Sequence, residues 1–290
     1  MKIRRVDTKR CRVGEGPVWD VAEQALYFLD IAGRQVHRFD PNTGETRSWE
    51  TPTSVGSMAL RQRGGAVVAL TDGFYGLDVS DGELSLLAAR DGTPGRTVVN
   101  DGKVDRRGRF VVGLCATGFE DPQPIGGVAS LGADHALRML DTGVTFSNGP
   151  CWSPDDSTFY FSDSHVAAIF AYDYDIESGE LSGKRLFADT SALGGQPDGT
   201  TVDRDGLVWS AIFRGGKIVA FRPDGKVERV VDMPVQMAVS VSFGGPDLDQ
   251  LYVTTIDPAF FGEPPEDGAG EVYVIEGLGA RGVAEPRYAG

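Results

Sequence analysis

Basic residues are scarce. The chain has 28 Lys and Arg against 42 Asp and Glu, a formal net charge of −14. A surface of that sign repels the phosphate backbone of nucleic acid and the anionic face of a membrane, so neither is expected as a partner. Cysteine is nearly absent. Cys11, Cys115 and Cys151 are far apart and show no CxxC spacing, which gives no disulfide framework and no zinc ribbon. The three histidines, His37, His135 and His165, are scattered, and no HExxH occurs, so a His-ligated zinc is not indicated. A GxSxG elbow is missing too, and with it the usual serine-hydrolase nucleophile. No apolar run is long enough to span a bilayer, and the basic start, Met1 to Asp7, has no apolar stretch behind it. Neither a signal peptide nor a membrane span is expected, and a cytoplasmic location is the default expectation.

Glycine, by contrast, is abundant, at 39 of 290 residues, with 16 Pro. That balance favours many short strands joined by turns. A repeat runs through the chain. A short apolar strand is followed by a turn, a second strand, then an Asp, Pro or Gly turn. Copies open at Ala25–Asp30, Ala66–Leu70, Arg109–Gly113, Thr158–Asp163, Leu207–Ser210 and Leu251–Thr255. Asn42-Thr43-Gly44, Asp81-Gly82 and Pro223-Asp224-Gly225 supply hairpin turns. The period is roughly 45 residues, the length of a propeller blade. Six copies predict an all-β fold, a single six-bladed β-propeller over residues 1–290 with no linker. The stretch from Asp257 to Ala269, rich in Pro, Gly and acid, reads as a loop over one face.

Four turn-like segments each precede the first strand so identified in a blade. They are Gly14-Glu15-Gly16-Pro17, Asn100-Asp101-Gly102, Ser147-Asn148-Gly149-Pro150 and Gln196-Pro197-Asp198-Gly199. Singly they are ordinary turn sequences. Their shared phase places Glu15, Asn100, Asn148 and Asp198 at similar height around the central channel. Carboxylates and amide carbonyls converging there would make an all-oxygen site, suited to hard cations such as Ca²⁺, Mg²⁺ or Mn²⁺. Few protein ligands would leave positions for water or substrate, as a catalytic metal requires.

These segments, with Phe243-Gly244-Gly245-Pro246-Asp247-Leu248 and Leu251-Tyr252-Val253-Thr254, resemble the motifs of the senescence-marker-protein-30/gluconolactonase family, in order and over nearly the whole chain. The resemblance implies a six-bladed propeller that hydrolyses a sugar-derived (aldono) lactone with one divalent cation, Ca²⁺, Mg²⁺, Mn²⁺ or Zn²⁺. It assigns Glu15, Asn148 and Asp198 as metal ligands and Asp198 also as general base. Asn100 corresponds to a substrate-binding residue, and Glu120, by a looser match, to an acidic residue of the pocket. A small-molecule lactone is then the partner, and the chain a monomer or weak homo-oligomer. One position departs from the pattern. Sugar lactonases of the family often carry Arg two residues before the Asn of Asn-Asp-Gly; this chain has Val98 there. Arg96 lies two residues away, an offset of about 6–7 Å along extended chain. The departure leaves room for a less polar lactone, for an esterase or phosphotriesterase on the same metal site, or for a non-catalytic metal- or ligand-binding propeller.

Other motifs are decoys. Gly277-Leu278-Gly279-Ala280-Arg281-Gly282 matches GxGxxG, but a dinucleotide site needs a helix and a βαβ unit after it, and too few residues follow. Asp173-Tyr174-Asp175 lacks the spacing of an EF-hand. Cys151 has no evident His partner and reads as a small buried hydrophobe.

Overall fold

The apolar runs of the repeat form the second strands of six four-stranded antiparallel sheets. The computed structural model describes residues 1–90, 97–117 and 123–290. Blade one spans residues 14–50, blade two 55–89, blade three 97–144, blade four 147–189 and blade five 196–232. Blade six takes three strands from 238–276 and its outermost strand, Lys2–Val6, from the other end of the chain. Arg4 pairs with Val274 and Val6 with Val272 in that last ladder, so the six-bladed ring closes by strand pairing between the two ends. Among the described residues no helix is long and apolar enough to cross a membrane.

Second strands such as Ala25–Asp30, Ala66–Leu70 and Phe110–Ala116 are buried at every position. They lack the alternation of a one-sided sheet because a neighbouring blade covers each face. The core is accordingly a ring of six interfaces. Trp19 of blade one stacks on Tyr252 of blade six at 5.4 Å. Phe74 meets Phe110 edge-on between blades two and three, and Trp209 meets Phe243 between blades five and six. Outermost strands are far more exposed, as in Val227–Asp232.

The four segments read as turns are themselves strands. Gly14–Asp20, Thr97–Val104, Ser147–Trp152 and Gln196–Val202 are the innermost strands of blades one, three, four and five. The strands counted first in the sequence repeat are therefore second in each sheet. The reason is physical. Every innermost strand breaks register at the same level: between Glu15 and Val18, Val55 and Ser57, Val99 and Gly102, Asn148 and Cys151, Pro197 and Thr200, and Ala238 and Ser240. Gly and Pro at a bulge carry the composition of a turn inside a strand.

The GxGxxG-like stretch leaves blade six and continues as a strap. It follows the downstream ends of the innermost strands, away from Glu15 and Asn148. Gly282 bridges to Asp203, Tyr288 to Arg61, and the Ala289 amide donates to the Gly108 carbonyl. Tyr288 is wholly buried. Lys103 pairs with Glu285 at 2.8 Å, the two side chains 11% and 19% exposed. Removing one member of such a pair leaves the other charge buried and unpaired. Glu285→Ala should therefore destabilise the fold by about 3 kcal/mol in urea titration. The double variant Lys103→Met/Glu285→Leu should recover most of that loss.

Candidate active site

Upstream of the strap, the bulges aim side chains at the channel. Gly16 and Gly149 take φ of +51° and +57°, a left-handed conformation that costs Gly little. At Gly149 space is closed as well. A Cβ there would come within 2.3 Å of Thr200 Oγ1 and 2.8 Å of the Asp198 carbonyl, so blades four and five touch through this glycine. The approach to each bulge is also fixed. Asp30 accepts the amides of Arg12 and Val13, and Asp163 accepts those of Thr145 and Phe146. Two strand-end aspartates thus hold the chain just before Glu15 and Asn148.

Glu15, Asn100, Asn148 and Asp198 all line one cavity of about 490 Å³. The amide of Asn100 donates to Asn148 Oδ1 at 2.7 Å and to the Ser147 carbonyl at 2.8 Å. The amide of Asn148 donates to Ser164 Oγ at 3.0 Å, and that hydroxyl donates to the Pro197 carbonyl at 2.6 Å. The chain of bonds fixes which atom of each amide is oxygen. It leaves Asn148 Oδ1 a further lone pair. Glu120 falls outside the described residues, as does Arg96. Val98 pairs with Cys115 on the neighbouring strand and borders an adjoining cavity that also includes Asn100.

Glu15 and Asp198 are each 8% exposed, and among the described residues neither has an ion-pair partner. Burial pushes both carboxyls well above their usual range. Repulsion from Asp198 and then Asp101 adds to it at Glu15, and repulsion from Asp101 adds to it at Asp198. Two buried carboxylates without an ion-pair partner call for a cation or a shared proton. Among the described residues no three His, Cys, Asp or Glu side chains are placed to hold a metal ion. The fitting donor set is two carboxylates, Glu15 and Asp198, with the amide oxygen of Asn148. All three are hard oxygen donors, so the residues present fit Ca²⁺, Mg²⁺ or Mn²⁺.

Asp101 was not singled out in the sequence. It is 7% exposed and accepts the Gly102 amide at 2.7 Å and the Gly149 amide at 2.9 Å. It therefore ties the bulge of blade three to that of blade four. Its place in Asn-Asp-Gly is the one signal that could have found it. Ser240, whose side chain on blade six opposes the upward shift of the Glu15 carboxyl, carries no such signal. Cys151 is buried and its thiol is pushed up to about 12, chiefly by desolvation, which leaves it inert. Because Gly149 sits between Asn148 and Asp198, Gly149→Ala should cost about 2 kcal/mol or more in urea titration. It should also weaken divalent-cation binding in calorimetry, since both neighbours are displaced.

The SMP-30/gluconolactonase/LRE-like region family matches residues 13–257. Regucalcin of Xenopus laevis is 35% identical over 299 residues, covering 100% of this chain and 99% of that protein. Among solved structures, a luciferin-regenerating enzyme superposes with a TM-score of 0.91 at 28% identity, covering 99% of each chain. A calcium-binding regucalcin from Agrobacterium tumefaciens gives 0.89 at 25% identity, covering 98% of this chain and 96% of that one. The chain belongs to the SMP-30/gluconolactonase/LRE-like family, a membership that supports a lactonase-type function.

Proposed function

We propose that the protein is a divalent-metal-dependent lactonase that opens a lactone ring to the hydroxy acid. The observation that carries this reading is the pair of buried carboxylates, Glu15 and Asp198, lining one cavity with the Asn148 amide and without a basic partner among the described residues. Glu15, Asn148 and Asp198 would hold the cation. A bound divalent cation supplies Lewis acidity to the lactone carbonyl and offsets the negative charge that develops on its oxygen.

The chain's own groups do the rest. A carboxylate oxygen of Asp198 takes a proton from water as the water oxygen bonds to the carbonyl carbon. The ring carbon–oxygen bond then breaks, and the proton returns to the departing oxygen, which becomes the hydroxyl of the product. Asn100, held against Asn148 and Ser147, orients the ring. Asn100, Ser164, His165 and Gln196 put polar groups in the cavity, where the carbonyl, ring oxygen and any hydroxyls of a lactone find hydrogen-bond partners.

Asp198→Asn should lower kcat by about 10³-fold on glucono-δ-lactone, followed with a pH indicator, while circular dichroism stays that of the parent. Metal-stripped protein should be inactive and regain turnover with Ca²⁺, Mg²⁺, Mn²⁺ or Zn²⁺ added singly. The same ions should raise its melting temperature. An Asp198→Asn variant with parental turnover overturns the assignment.

A further inference from the structure

Catalysis at Glu15, Asn148 and Asp198 leaves one wall of the cavity unused. Phe213 ends the second strand of blade five. Ile31 and Ile256 follow the second strands of blades one and six. Phe260 and Phe261 lie on the short 3-10 helix Pro258–Phe261. Together with Val13 they line the cavity that holds the carboxylates.

This wall is firmly backed. Ile31, Phe213 and Phe261 pack on a buried cluster of Val13, Met237, Val239 and Ile256. The rings of Phe213 and Phe261 lie 5.9 Å apart, and Phe260 meets Phe261 edge-on at 4.9 Å. The Arg214 guanidinium sits 5.3 Å from the Phe213 ring and 5.1 Å from the Phe261 ring, and Glu263 holds it at 2.6 Å. Phe260 remains 38% exposed. Six apolar side chains from blades one, five and six thus face a space that a bare lactone ring cannot fill. Hydroxyls turned toward those six side chains would lose water and find no partner on them; the one cation lining that side, Arg214, is engaged by Glu263. Apolar atoms placed there would release water from both surfaces.

We propose, resting on the lactonase reading, that the preferred substrate is a lactone bearing an apolar ring substituent of several carbons, seated against Phe213, Phe260 and Phe261. Those residues then set specificity, while ring opening stays with the metal-site groups.

Three six-membered lactones separate the possibilities: δ-valerolactone without a substituent, δ-decalactone with a pentyl chain, and glucono-δ-lactone with hydroxyls. Ca²⁺-loaded protein should turn over δ-decalactone with a kcat/KM about tenfold or more above either of the others, the gain lying mainly in KM. Phe260→Ala, at a part-exposed position, and Phe213→Ala should each cut the decalactone-to-valerolactone ratio several-fold. Calorimetry with the matching lactams, 6-pentylpiperidin-2-one and piperidin-2-one, reads the same preference without turnover. Equal or reversed order in turnover and in lactam binding overturns the inference, as does a ratio unmoved by both variants. Lactam preference with no turnover of any lactone under any of the four ions keeps the apolar subsite and overturns the lactonase reading instead.

Discussion

Everything at the axis depends on ring closure. The last sheet is completed by Lys2–Val6 pairing with Val272–Glu276, so the first and last strands of the chain meet in one ladder. Once the ring is shut, each blade has a neighbour on both faces, which allows second strands to be apolar throughout. Closure also brings Trp19 against Tyr252 and sets the innermost strand of blade one beside that of blade six. Glu15 can then meet Ser240 and face Asp198. A ring held open at that seam would separate those groups and leave the two carboxylates with no common point.

A closed ring still needs its inner strands to turn side chains into the channel at one height. The bulges do this, and they explain how so much negative charge is brought together. Asp101 is the pivot. Burial raises its carboxyl above the usual range, and the charge of Lys103 and the backbone amides it accepts from its own blade and the next oppose that rise. Lys103, two residues along the same strand and paired with Glu285 of the strap, is the nearby positive charge. Glu15 and Asp198 each have a backbone amide, from Gly16 and Gly199, but no ion-pair partner among the described residues, and are where a cation is most needed. A structural carboxylate and two candidate ligand carboxylates thus differ by what surrounds them, not by residue type.

The period and its six copies were legible in the sequence because blade-length repetition with wholly apolar second strands suits few architectures besides a propeller. Glu15, Asn100, Asn148 and Asp198 were legible as a group because they share a phase. What sequence reasoning lost was the innermost strand itself, whose Gly and Pro read as turns when they are bulges. It also lost Lys2–Val6, a short basic strand whose partner lies 270 residues away. Asp101 hid in a motif whose Asn drew the attention. The aromatic wall was invisible for a similar reason. Phe213, Phe260 and Phe261 carry no pattern of their own, and Phe213 meets the other two only when blades five and six are side by side. Glu120 lies outside the described residues.

The placement of the strap has a consequence for traffic. It lies across the downstream ends of the inner strands, with Tyr288 and the Lys103–Glu285 pair buried there, and none of its residues lines the cavity of Glu15 and Asp198. Exchange with solvent at that cavity is thus set by the cavity's own lining, in which Phe260 is part-exposed, and not by the strap. On the lactonase reading proposed above, whose product is a carboxylate, the cavity opens onto a protein of net charge −14. The field that does little to a neutral substrate on its way in pushes an anionic product on its way out.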